Sequence, residues 1–270
     1  MIEAFLAFGF GLLIGSFLNV CIYRWPRDLS IVRPRSHCTA CQAPIAWYDN
    51  VPLASFVVLG GRCRHCRENI SLRYPVVELL TGLLFFYFVY TLGPNAAAIK
   101  MCVFAAMLVT LFFSDLEQRI LPDEFTLGGT GAGLVFAFFV PVPDDMAQAL
   151  LWLVSRTDIS GRPRSLAEAA LGAALPALFL WAGGWLYYQL RHREGLGFGD
   201  VKLIAMVGAF LGLRGALYTL ILGSIAGSVV GFSYIKLAHK DPATYELPFG
   251  TFLAAAALAT ALGARQVLGG

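Results

Sequence analysis

Gly195-Leu196-Gly197-Phe198-Gly199-Asp200 leads straight into Val201-Lys202-Leu203-Ile204-Ala205-Met206, placing a carboxylate at the mouth of a long apolar run, behind three glycines spaced by one residue. An ionisable group at a membrane helix end is costly to desolvate and is kept mainly where it meets a partner, a cavity or a substrate. Asp200 is therefore a candidate functional group. Glycines admit backbone angles and close approaches that a side chain blocks, so this segment can bend to meet another part of the chain. A second acid ends another apolar run: Asp115, in Ser114-Asp115-Leu116-Glu117-Gln118-Arg119-Ile120-Leu121-Pro122-Asp123. Two carboxylates delivered by separate helices suggest an acid/base pair.

The runs behind these acids belong to a chain-wide pattern. Hydrophobic residues make up 58% of the 270 positions and charged residues 14%, and apolar stretches approaching the roughly twenty residues needed to cross a bilayer recur from end to end. The fold class this implies is an all-α polytopic membrane protein with about eight transmembrane helices. A soluble one- or two-domain enzyme is excluded. The net charge of +3 says little as a total, but arginine crowds into short polar segments and so reports topology. Residues 1–22 do not read as a cleavable signal peptide, because Glu3 stands where a basic region belongs and no small-residue cleavage site follows.

Three parts follow in order: a first transmembrane helix (1–22), a polar segment (23–73) and a transmembrane bundle (74–270). In the first helix, Gly11, Gly15 and Ser16 sit at about one-turn spacing, a pattern that lets a neighbouring helix approach closely. The polar segment carries Arg24, Arg27, Arg33, Arg35, Arg62, Arg64, Arg67 and Arg73, which places it in the cytoplasm by the positive-inside rule. Within it stand Cys38-Thr39-Ala40-Cys41 and Cys63-Arg64-His65-Cys66. Each pair can offer two thiolates from one tight turn, and four sulfurs suit tetrahedral zinc. A closed four-cysteine site folds a loop rather than performing chemistry. His37 and His65 read as solvated loop histidines, and Cys21 and Cys102 as small packing residues.

Further spans are expected at about 76–92, 96–114, 125–140, 166–189, from Asp200 to about Leu213, 216–235 and 248–264. Glu78 lies inside the second span, where it either pairs with a loop arginine or belongs to an active cavity. Asp123 and Glu124 favour the start of a helix electrostatically. Residues 141–165 form a polar interruption with a short surface helix around Met146–Ser155. Alternation places this interruption outside, although Arg156, Arg162 and Arg164 argue against it. The count puts both termini on the periplasmic side, with Asp115 and Asp200 together on the cytoplasmic side.

Taken in order, Gly15-Ser16-Phe17-Leu18-Asn19-Val20 with Tyr23-Arg24, Trp47-Tyr48-Asp49-Asn50-Val51-Pro52, Ser71-Leu72-Arg73-Tyr74-Pro75 with Glu78, Asp115 through Leu121-Pro122-Asp123, Gly197-Phe198-Gly199-Asp200-Val201-Lys202 and Pro248-Phe249-Gly250 resemble the blocks of the type IV prepilin peptidases. These are also called prepilin leader peptidases and N-methyltransferases. The resemblance implies that Asp115 and Asp200 are the catalytic pair of a bacterial inner-membrane enzyme. Such an enzyme cuts the short basic leader from type IV prepilins or pseudopilins and methylates the new N-terminus with S-adenosylmethionine. Residues 23–73 contain no glycine-rich loop of the soluble cofactor-binding type, so no residue is assigned to that donor. The partners implied are prepilins or pseudopilins and membrane lipid, with no nucleic acid. The interruption at 141–165 is longer than the family pattern.

Two other classes fit parts of the sequence. An ion- or proton-coupled transporter also uses intramembrane carboxylates and broken helices, but favours acids at mid-membrane and a repeat relating two halves. Neither is evident here. A zinc-stapled scaffold in which the acids merely cap helices predicts that Asp115 and Asp200 are dispensable.

Overall fold

A bilayer offers no water to the backbone, so a chain this apolar satisfies its N–H and C=O groups within helices. The computed structural model describes residues 1–142, 144–155, 160–193, 197–237 and 247–263. Among the described residues there is no strand, only isolated bridges at His37–Pro44 and Arg62–Asn69. The helices are α1 (Ile2–Arg24), α2 (Ala54–Val58), α3 (Arg73–Leu92), α4 (Ala96–Gln118), α5 (Asp123–Phe139), α6 (Met146–Ser155), α7 (Arg162–Arg191), α8 (Phe198–Leu237) and α9 (Phe249–Gly263). Among the described residues α1, α3, α4, α7 and α8 are long and apolar enough to cross a membrane. Helices α5 and α9, at 17 and 15 residues, are shorter. The protein is a multi-pass membrane protein. Pro143, Arg156, Glu194, Gly195, Leu196, His239, Lys240 and Asp241 lie outside the described residues.

Contacts gather into two compact units, Met1–Thr110 and Leu111–Gly270. In the first, α1 and α3 run antiparallel, and Gly11 and Gly15 are the points of closest approach. A Cβ on Gly11 would lie 2.8 Å from the Gly82 Cα, and one on Gly15 2.7 Å from the Glu78 Cα. Lipid is as apolar as leucine, so this close van der Waals fit, not burial from water, holds the pair together. The side chain of Asn19, one turn on, donates to the carbonyls of Gly15 (3.3 Å) and Tyr74 (3.1 Å).

Helix α8 is the centre of the second unit. Gly208 meets Gly172 of α7 so closely that a Cβ would lie 1.9 Å from the Gly172 carbonyl oxygen. Gly133 of α5 packs on Ala209, and Gly223 on Leu253 of α9. As expected from the sequence, α8 consists of two helices on either side of residue 213, which meet at a break at Gly212 (φ 78°, ψ −176°). Buried Asp144 accounts for the break. Its Oδ2 accepts the Arg214 N–H at 2.7 Å and its Oδ1 accepts that of Met146 at 3.0 Å. Asp144 thus supplies the acceptor that the interrupted ladder lacks.

The stretch expected as an outer polar interruption is therefore partly built into this unit. Ser165 Oγ donates to the Ala137 carbonyl (2.7 Å) and accepts the Val142 N–H (3.0 Å). Fully buried Glu168 accepts the Gln148 N–H at 2.9 Å. Arg162 lies over the Phe138 ring at 4.9 Å and Arg164 pairs with Asp145. These two arginines have local partners that owe nothing to sidedness.

Candidate active site and metal centre

Helix α4 ends with Asp115 buried, because the chain turns back on itself immediately afterwards. Ser114 Oγ donates to the Ile120 carbonyl at 2.7 Å, the Arg119 N–H donates to the Asp115 carbonyl at 2.8 Å, and Arg119 adopts φ 56°. The turn brings Leu121 and Pro122 beside the acid and starts α5 at Asp123. Asp115 Oδ2 accepts two hydrogen bonds from one residue of α9, the Thr251 N–H at 2.6 Å and the Thr251 Oγ1 hydroxyl at 2.8 Å. The first N–H groups of a helix have no intrahelical acceptor, so the start of α9 is a natural seat for an anion.

Asp200 lies in the first turn of α8, also buried, and its neighbour Gly199 faces Leu121, the same residue that Gly250 faces beside Asp115. The two acids foreseen from sequence are thus brought together, on the ends of separate helices. Two glycines make the approach possible. A Cβ on Gly250 would lie 2.8 Å from Leu121 Cδ1 and 3.1 Å from Asp115 Cγ, and one on Gly199 3.1 Å from the same Leu121 methyl. Leu121 is therefore the wedge against which the starts of α8 and α9 both rest. Lys202, two residues beyond Asp200, donates to both oxygens of Asp123 at 2.6 and 2.8 Å, tying α8 to the first turn of α5.

Thr251 escaped the sequence reading, and Gly250 and Leu121 entered it only as members of motif blocks. Their signal was the small, polar pair Gly250-Thr251 directly after Pro248-Phe249. Glu78, left open between a loop arginine and a cavity, takes the Leu53 N–H at 2.9 Å and a hydrogen bond with Ser16. It meets Leu53 where the backbone takes a positive φ of 57° at the start of α2.

In the first unit the four cysteines come together with all sulfurs within 4.8 Å of one another. The Cys38–Cys66 and Cys41–Cys63 separations are 3.8 and 4.0 Å. Zinc–thiolate bonds of about 2.3 Å in a tetrahedron require sulfurs roughly 3.8 Å apart, so the set fits a single ion. The two turns are copies displaced by one constant offset. Cys38 N–H bonds the Ala43 carbonyl as Cys63 N–H bonds that of Glu68, and Gln42 N–H returns to Cys38 as Arg67 N–H returns to Cys63. Ile45 reaches Ser36 as Ile70 reaches Gly61, and Gln42 and Arg67 share the left-handed φ of 59° and 60°. The repeat resides in the backbone, hence its faint trace in the side chains. Amide bonds from Cys66 and His65 pull the Cys63 thiol down to about 6. The Cys66 thiol, although the Glu68 amide favours its ionisation, is pushed up to about 12 by burial and the neighbouring Cys41, Cys63 and Cys38 sulfurs. Four clustered sulfurs resist full ionisation without a cation among them. Among the described residues neither His37 nor His65 joins this ligand group.

Arg64, inside the second turn, forks onto Asp49 with bonds of 2.7 and 2.6 Å. The guanidinium holds the Asp49 carboxyl below its ordinary range. This pair fastens the cysteine cluster to the Trp47–Asn50 turn.

A family described as the bacterial peptidase A24 N-terminal domain matches residues 10–92, and the type IV leader peptidase family matches residues 102–232. A prepilin leader peptidase/N-methyltransferase of Myxococcus xanthus (strain DK1622) is 42% identical over 224 residues, covering 83% of this chain and 61% of that protein. The enzyme of the same name from Aeromonas hydrophila is 35% identical over 275 residues, covering 93% of this chain and 87% of the relative. The one from Pseudomonas putida is 32% identical over 271 residues, covering 91% and 85%. No solved structure matches. These matches lend no support to an ion- or proton-coupled transporter.

Proposed function

Because the chain belongs to the type IV leader peptidase family, we propose that it is an inner-membrane aspartic endopeptidase. It cuts the short basic leader from type IV prepilins or pseudopilins and N-methylates the terminus so exposed. Asp115 and Asp200 are the catalytic pair. The observation that carries the assignment is the meeting of two buried carboxylates from the ends of α4 and α8, with Asp115 Oδ2 pinned by both donors of Thr251.

Two such carboxylates hold one proton between them, since like charges this close do not readily ionise together. The ionised member takes a proton from water as the water oxygen attacks the scissile carbonyl carbon, and the protonated member gives its proton to the carbonyl oxygen. When the tetrahedral diol collapses, the C–N bond breaks as the amine takes a proton from one member, and a diol hydroxyl returns a proton to the other as the C=O bond re-forms, leaving the pair with one proton. No covalent intermediate is required. Thr251 fixes the plane of the Asp115 carboxyl and leaves Oδ1 for this chemistry.

Cys38, Cys41, Cys63 and Cys66 hold a structural zinc ion, supported by the tetrahedral sulfur spacing. The arginine-rich segment 23–73 and both aspartates lie on the cytoplasmic side, and the starts of α1 and ends of α9 are periplasmic; the distribution of arginine supports this. S-adenosylmethionine supplies the methyl group for the second activity. The cavity beside Arg24, lined by two arginines, is a poor match for a donor carrying sulfonium and ammonium charges, and no residue is assigned to hold it.

The test is cleavage of a membrane-embedded type IV prepilin by purified protein. Wild type cuts, while folded Asp115→Asn and Asp200→Asn do not. A variant that cuts at the wild-type rate removes that residue from the catalytic pair and restores the reading in which the acids only cap helices.

A further inference from the structure

Arg24 ends α1 with its side chain buried, only 7% of the residue being exposed. Its guanidinium donates to two backbone carbonyls, Ser30 at 2.9 Å and Arg35 at 3.4 Å, and among the described residues no carboxylate pairs with it. Buried charges are ordinarily paired, because carbonyl dipoles satisfy the donors without neutralising the charge. Glu78, which bonds Ser16 of the cavity wall, is engaged with Leu53.

Arg24 also lines a cavity of about 330 Å³, together with Arg35, Ser36 and Asn50 of the loop and Leu13 and Phe17 of α1. Leu13 and Phe17 are a helical turn apart on α1, a membrane-crossing helix, and are 59% and 48% exposed. The cavity therefore has a cationic, hydrogen-bonding end at the loop and an apolar end continuous with the surface that meets lipid. A basic leader peptide would be repelled from the first, and a free anion would make no use of the second.

We propose that this cavity binds the phosphate headgroup of an anionic phospholipid. Arg24 and Arg35 face the phosphate, Ser36 and Asn50 offer further hydrogen bonds, and an acyl chain lies along Leu13 and Phe17. The lipid supplies the counter-charge that Arg24 lacks and holds the loop end of α1 at the membrane surface.

The experiment is native mass spectrometry of the full-length protein released from nanodiscs of phosphatidylcholine containing a minor fraction of phosphatidylglycerol. Wild type should retain one phosphatidylglycerol per chain. Arg24→Gln should lower retention about fivefold or more, the scale of one basic contact at a membrane surface. Because Arg24 also braces the loop, Ser36→Glu is the second variant. It leaves both carbonyl bonds of Arg24 in place and should expel the lipid equally. Arg27→Gln, whose exposed guanidinium bonds the Tyr23 carbonyl outside the cavity, should retain lipid as wild type does. Equal retention by wild type and Ser36→Glu, or equal loss in Arg27→Gln, overturns the proposal. So does displacement of the lipid by inorganic phosphate or by S-adenosylmethionine at stoichiometric amounts, which would assign the cavity to a soluble ligand.

Discussion

Replacing Gly250 by alanine places a Cβ 2.8 Å from Leu121 Cδ1, 3.1 Å from Asp115 Cγ and 3.2 Å from Asp115 Oδ2. Carbon atoms rest at about 3.5 to 4.0 Å, so Leu121 and the Asp115 carboxyl must each yield by roughly half an ångström. The carboxyl is held by Thr251, the residue next to the substitution, and cannot retreat without lengthening bonds of 2.6 and 2.8 Å. A misplacement of about 1 Å costs on the order of a hundredfold in rate, so half of that should cost roughly tenfold in kcat. The assay is single-turnover cleavage of prepilin in proteoliposomes, with thermal unfolding measured alongside to verify folding. Gly128→Ala in α5 is the control, since a Cβ there meets nothing within 4 Å, and it should cut at the wild-type rate. Leu121→Ala added to Gly250→Ala removes the nearest collision and should recover part of the loss, a coupling expected only of residues in contact. Wild-type cleavage by folded Gly250→Ala would refute the idea that the start of α9 positions Asp115.

Thr251→Val removes the hydroxyl donor but keeps the amide. Loss of a hydrogen bond to a charged group, about 1.5–3 kcal/mol, should slow cleavage roughly ten- to a hundredfold in the same assay without lowering the unfolding temperature much. Gly208→Ala, whose Cβ would lie 1.9 Å from the Gly172 carbonyl oxygen, should destabilise the second unit by about 3 kcal/mol or more, read as a drop in unfolding temperature. Elemental analysis should find one zinc per chain, and Cys63→Ser or chelation should open residues 23–73 to limited proteolysis. The Asp49–Arg64 pair stabilises its loop fully above the unfolded aspartate range, near pH 3.9, and that contribution disappears as pH falls through the depressed value of Asp49. Pepsin should therefore cut the Trp47–Arg64 region of wild type only at the lower end of its working range, and that of Asp49→Asn throughout.

Much of the architecture is local chemistry and could be read without coordinates. Apolar runs of bilayer length specify helices because an unpaired peptide group in lipid is so costly, and Cys-x-x-Cys offers two sulfurs from one turn regardless of context. The short helix at Met146–Ser155 and the small-residue contacts of Gly11 and Gly15 follow in the same way, from periodicity along a single helix. Asp115 and Asp200 stood out because one ends an apolar run and the other opens one, a property of the residue and its immediate neighbours. What holds them depends on partners far along the chain. Thr251 reaches Asp115 across 136 residues and Arg214 reaches Asp144 across 70, in each case through a backbone N–H that every residue but proline carries. Side-chain identity cannot announce which amide will be left unpaired at a helix start or a break. Only packing decides that, here by wedging Leu121 between Gly199 and Gly250 and by setting Asp144 into the gap at Gly212.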